Sequence, residues 1–110
     1  MKPIHAGLAS GRWKELSLAE QMANIASEIG RIISARRRGD GARADGAFDR
    51  ALELLDLTAT DPRWKTGRRE ITRARELFLA AYFGSSEYNT SLEDLDRYFM
   101  QFAAMARRAV

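Results

Sequence analysis

The side chains of this chain that could do chemistry are few, and their spacing argues against catalysis. His5 is the sole histidine and there is no cysteine. A single histidine with no Asp or Glu at ligand spacing reads as a solvated side chain, and a di-iron bundle, which needs Glu-x-x-His on two helices, is excluded. Without cysteine there are no disulfides, thiolate metal sites or thiol nucleophiles. No histidine follows any arginine, so the Arg and His pairing of helical nucleases is missing as well. Gly39, Gly41 and Gly46 match neither the dinucleotide fingerprint nor the phosphate loop, and no strand precedes them. Ser85, Ser86 and Ser91 have no base beside them and read as turn and cap residues. Glu93, Asp94 and Asp96 form carboxylate pairs, but in the first turn of a helix, where the macrodipole favours acids. The sequence therefore predicts a protein that is not an enzyme and uses no cofactor, metal or small-molecule substrate.

Binding chemistry is better represented. Lys and Arg number 18 against 15 Asp and Glu, giving a net charge of +3, and 15 of the 18 are arginine. The guanidinium fork suits carboxylates and phosphates, although arginine is also a good helix former. Placement separates the two readings. Arg63, Lys65, Arg68 and Arg69 fall at the predicted start of a helix, where positive charge opposes the dipole. Arg107 and Arg108 fall at a helix end, where the dipole accepts them. With Trp64 among them, these six residues are the candidate phosphate site, the indole offering a face for base stacking. Trp64 can equally be read as continuing the core stripe of Ile71.

The elements that must position these residues are helices. At 110 residues the chain fits a single domain large enough to fold without metal or disulfide. Its first residues lack an apolar run of signal-peptide length, and charge interrupts every apolar region before the ~20 residues of a membrane span, so a soluble, cytoplasmic protein is expected. Residues 1–16 read as an arm broken by Pro3, Gly7 and Gly11, with Trp13 as the anchor that docks it. The first helix, about 17–38, opens with a Ser17 to Glu20 capping box and carries Leu18, Met22, Ile25, Ile29 and Ile32 at heptad spacing. Ala19, Ala23, Ala26 and Gly30 form a small-residue stripe beside that seam, and a close backbone contact is expected at Gly30 to offset its cost in a helix.

Gly39 or Gly41 stops the first helix, and Asp40 or Asp45 caps the second, about 43–58, which buries Ala44, Ala47, Phe48, Ala51, Leu52, Leu54, Leu55 and Thr58. Asp61 and Pro62 predict the start of the third, about 62–83, and Gly84 its left-handed end. A Thr90 to Glu93 capping box predicts the fourth, about 91–108, with Leu92, Leu95, Phe99, Phe102 and Ala106 as its seam. No segment reads as a strand. Four such helices with short connections predict an all-α, up-down-up-down antiparallel four-helix bundle carrying an N-terminal arm. In that topology Arg36, Arg37, Arg38 and Arg43 meet Glu87, Glu93, Asp94 and Asp96 at a self-compensated end, and the candidate phosphate site gathers at the other.

Ala44, Phe48 and Ala51 match the second helix of a tetratricopeptide repeat, but Glu28, Ile32 and Ala35 fail the pattern of its first helix, and one repeat cannot stand alone. The segments LSLAEQMANI (16–25) and RALELLDLT (50–58), with REL (75–77) and YFG (82–84), resemble a family of small prokaryotic all-helical proteins along most of the chain from Trp13 to Arg108. The resemblance implies an all-helical fold and brings no activity with it.

One group of residues has no place in a minimal core. Leu79 and Phe83 lie about 100° round the third helix from its Ile71, Ala74 and Phe78 stripe, and Met100 is displaced comparably from Phe99 and Phe102. Large apolar residues outside the core predict burial against another chain. The expected function is therefore that of a homo-oligomeric helical protein acting through protein contacts, a dimer being the commonest closed form. The alternative is a nucleic-acid-binding module that uses the basic end.

Overall fold

The computed structural model describes residues 11–84 and 90–108, and every regular element among them is helical. A short helix, α1 (Trp13–Glu15), precedes four long ones: α2 (Leu18–Arg37), α3 (Gly41–Ala59), α4 (Arg68–Phe83) and α5 (Leu92–Arg108). A 3-10 turn at Pro62–Trp64 lies between α3 and α4. His5, Ser85, Ser86, Glu87 and the first ten residues of the predicted arm lie outside the described residues.

α2 starts where the capping box places it. The Glu20 amide donates to Ser17 Oγ at 3.1 Å and the Ser17 amide donates back to Glu20 Oε1 at 2.9 Å, which satisfies two of the amides a helix start leaves unpaired. The heptad seam is then buried through Met22, Ile25, Ile29 and Ile32, while Leu18 is half-covered. Because its apolar arc is wide, α2 packs along both α3 and α5, and α4 joins α3 and α5 through smaller contacts. The core consequently sits around α2, closed by Leu54 and Leu55 of α3, Phe78 of α4 and Leu92, Leu95 and Phe99 of α5.

Gly39 adopts a left-handed φ of 71° at the end of α2, and Asp40 Oδ1 accepts the Arg43 amide at 3.1 Å, so α3 begins at Gly41. Gly84, at φ 73°, ends α4 with its amide on the Ala80 carbonyl.

The sequence and the structure part company in three places. The third predicted helix does not run unbroken from Pro62. Asp61 accepts the Arg63 amide at 3.0 Å and winds Pro62–Trp64 into a 3-10 turn; the regular helix starts only after Gly67, at Arg68. α5 is capped one residue later than predicted: the Asp94 amide donates to Ser91 Oγ at 3.1 Å and the Ser91 amide to Asp94 Oδ2 at 3.3 Å, so Ser91 and Asp94 replace Thr90 and Glu93. The close contact expected at Gly30 is also missing, since a Cβ built there would meet nothing within 4 Å.

Candidate functional site

The predicted basic end is built on a buried polar network that the sequence reading did not foresee. Trp13 is covered completely, and its indole Nε1 donates to Thr58 Oγ1 at 3.0 Å. The Trp13 carbonyl accepts from Gln21 Nε2 at 2.9 Å, and the same amide nitrogen donates to Asp61 Oδ2 at 3.2 Å. Gln21 Oε1 accepts from Trp64 Nε1 at 2.8 Å. Gln21 thus spends both donors and its carbonyl inside the protein, tying α1, α2 and the turn after α3 together. Burying a polar group without a partner costs ~1–3 kcal/mol, so complete pairing is the condition on which this cluster can be buried.

Arg63 completes the network. Its Nη2 lies 2.8 Å from Asp61 Oδ2 and also donates to the Leu16 carbonyl at 2.8 Å, and its guanidinium sits 4.5 Å from the centre of the Trp64 ring. These hydrogen bonds from Arg63 hold the Asp61 carboxyl down at about 2, against the opposing effect of burial, and raise the Arg63 pKa in turn. The first candidate phosphate ligand is therefore occupied by an internal carboxylate and an internal carbonyl. The Trp64 indole is half-buried, engaged at its nitrogen and stacked against Arg63, and it lies outside the Ile71 core stripe. Lys65, Arg68, Arg69, Arg107 and Arg108 are exposed. Arg107 adds to the lowering of the Glu20 carboxyl, which the Ser17 cap produces in the main. What is left at this end is a set of exposed cations beside a saturated polar network.

The opposite end is organised around Tyr82. The Arg36 guanidinium lies over its ring at 4.4 Å and donates to its carbonyl at 2.7 Å, while the phenol bonds Asp45. Burial, with the Asp45 bond adding to it, raises the Tyr82 pKa. The ring stacks on Phe48 at 4.0 Å between centroids.

The three predicted interface residues do not share one surface. Phe83 is 71% exposed and Leu79 half-buried, on the flank of α4 that faces α3: Phe83 meets the Phe48 ring edge-on at 5.5 Å, and Arg75 pairs with Asp56 at 2.7 Å on the same side. Met100 is 53% exposed on α5. Tyr98 of α5 reaches α4 through a 2.7 Å hydrogen bond to Glu70, and Met100, two residues on, lies about 160° round the helix from it. Met100 accordingly points away from α4. Desolvation, then the bond to Glu70, pushes the Tyr98 phenol up.

An apolar opening that the sequence reading did not foresee lies along α5. Tyr98, Phe102 and Met105 of α5, with Leu18, Glu70 and Gln101, line a cleft of about 360 Å³, and Met105 is 68% exposed. Phe102, predicted for the α5 seam, is only half-buried and belongs to this cleft, while Ala103 continues the buried line of Leu92, Leu95 and Phe99. The spacing of four and three in Tyr98, Phe102 and Met105 is a second apolar stripe whose signal was present in the sequence. Among the described residues no group of three His, Asp or Glu side chains could hold a metal, and no helix is long and apolar enough to cross a membrane. No protein-family model, curated protein or solved structure matches this chain.

Proposed function

We propose that the chain is a non-enzymatic, up-down-up-down four-helix bundle that acts through protein contacts and assembles as a homo-oligomer, with a two-fold dimer as the simplest closed form. The antiparallel arrangement is supported by which helix ends meet: Arg36, late in α2, reaches the Tyr82 carbonyl late in α4, and Arg107, late in α5, acts on Glu20 early in α2. The observation that carries the functional reading is the apolar cleft of α5, where Tyr98 and Phe102 lie beside Met105, which is 68% accessible; Phe83 and Met100 add separate exposed side chains. Monomers seldom expose several large apolar side chains with a cleft beside them, and each one buried contributes ~1.5–3 kcal/mol to association. The interface is centred on the Tyr98, Phe102 and Met105 cleft, with the Leu79 and Phe83 flank and the Met100 flank as separate contacts.

Light scattering tests this directly. Wild-type protein at micromolar concentration should have the mass of a dimer or a larger assembly. A Met105→Ser, Phe83→Ser double variant should keep its helical circular dichroism and lose mass. A monomeric wild type at that concentration overturns the proposal.

The second reading, nucleic-acid binding at the basic end, is supported by the exposure of Lys65, Arg68, Arg69, Arg107 and Arg108. The engagement of Arg63 by Asp61 and Leu16 weakens it.

A further inference from the structure

A second basic surface, separate from the predicted end, lies between the last turns of α2 and the first turns of α3. Arg31 and Arg38 project from α2, Arg43 and Arg50 from α3, and with Ser34, Ala35, Ala42 and Gly46 they line a groove of about 570 Å³. Within each pair the residues are seven apart, two helical turns, so both rows run about 10 Å along the groove. Gly46 and the two alanines supply no large side chain, and the space between the rows stays open.

The groove is held in shape by acids that do not neutralise it. Glu28 is buried on α2 and takes Arg50 Nε on its Oε2 at 2.6 Å, while its Oε1 bonds Arg31. One carboxylate offers about four lone-pair sites to two guanidiniums that carry about ten N–H donors, so it orients both arginines and cannot exhaust them. Arg38 is steadied by Ser34 Oγ at 3.0 Å, and Arg43 lies 3.3 Å from Asp40 Oδ2. Four guanidiniums facing two carboxylates leave a positive excess in a concave site. Arginines preset by a buried acid lose less freedom on meeting an anion than free ones do.

We propose that this groove binds the phosphodiester backbone of nucleic acid. The length of the rows favours a chain of phosphates over a single anion, because one phosphate cannot reach both members of a row. No aromatic residue lines the groove, which removes base stacking and with it any means of reading sequence except through the backbone. The proposal is independent of the oligomeric state, since the groove is on α2 and α3 and the apolar cleft is formed mainly by α5.

The test is fluorescence anisotropy with a labelled mixed-sequence RNA strand and its duplex, titrated with full-length protein at ~50 mM salt and upward. The wild type should bind both probes with affinity that falls steeply with salt. Arg38 and Arg43 are exposed, so the Arg38→Ala, Arg43→Ala variant should keep the wild-type circular dichroism, lose at least about tenfold in affinity and lower the salt slope by about 2. The Lys14→Ala, Arg97→Ala variant removes two exposed cations on α1 and α5 and should bind within about twofold of wild type. No binding at ~50 mM salt, equal loss in the two variants, or full displacement of the probe by poly-glutamate at equal charge concentration would each overturn the assignment, the last by making an acidic protein segment the better ligand.

Discussion

Trp13 Nε1 and Thr58 Oγ1 are hydrogen-bonded at 3.0 Å across 45 residues of sequence, and both residues are buried. This bond makes the segment before α2 part of the core. Thr58 in turn donates to the Leu54 carbonyl at 2.9 Å, so the hydroxyl is used as donor and acceptor at once. Trp13→Ala should therefore cost ~3–5 kcal/mol, as large aromatic truncations in cores do. Trp13→Phe keeps most of the packing and loses the hydrogen bond, for ~1 kcal/mol from that source. Urea unfolding followed by circular dichroism measures both, and a Trp13→Ala variant within 1 kcal/mol of wild type would show that the segment is not part of the cooperative unit.

Asp61 makes part of the stability acid-sensitive. Its carboxyl is held at about 2 by the hydrogen bonds from Arg63, whereas in the unfolded chain it titrates near the ordinary ~3.9. The folded value is the lower one, so the stabilisation is complete above about pH 4 and is lost as pH falls toward 2, amounting to about 2 kcal/mol. Glu20 and Asp94 are also lowered by their helix caps, so the informative quantity is the difference between wild type and Asp61→Asn. The wild type should lose about 2 kcal/mol more than the variant between pH 5 and 2. Parallel acid limbs would mean that the Asp61 and Arg63 pair does not contribute.

How much of this was legible in the sequence depended on whether the signal was local. The Ser17 capping box, the Gly39 and Gly84 stops and most of the buried stripes of α2 and α3 follow from neighbours within a turn or two, and the structure has them, with Leu18, Phe48 and Leu52 only half-covered. The break at residues 62–67 was not legible, because Asp61 bonds Gln21 of α2 as well as Arg63, and that partner lies 40 residues away. Gln21 and Glu28 look like solvent-facing residues in a helical repeat, yet both are buried. Their partners, Trp13, Trp64, Asp61 and Arg50, come from other elements, so periodicity alone could not assign them. The arginine groove was missed for a similar reason: Arg38 and Arg43 read as a helix end and a helix start, and only the pairing of α2 with α3 aligns the two rows.

The start of α5 offers a local test of the shifted cap. Ser91 Oγ accepts the Asp94 amide at 3.1 Å, and the Ser91 amide, donating back to Asp94 Oδ2 at 3.3 Å, is the main cause that lowers the Asp94 carboxyl. Ser91→Ala should cost ~1 kcal/mol, and Ser91→Asp, which can still cap, should recover most of it. Thermal unfolding of the two variants measures the effect. Equal destabilisation by both would show that the serine does something other than cap the helix.

Gly30 lies inside α2, half-covered, with nothing within 4 Å of where a Cβ would stand. Glycine in a helix interior is ~1 kcal/mol less favourable than alanine, through the conformational entropy of the unfolded chain as well as the missing side chain. In an isolated chain Gly30→Ala should then stabilise by up to ~1 kcal/mol and raise Tm by about 4–8 °C. The measurement has a second use if it is made at several protein concentrations. Should the open space at Gly30 be filled by another copy of the chain, the added methyl would meet that copy, and the gain seen in dilute solution would shrink or reverse as concentration rises. A stabilisation that holds from about 1 to 100 μM would leave the Gly30 flank outside any oligomer interface and confine the contact to the surfaces of α4 and α5; a loss of stability at every concentration would contradict the open space itself.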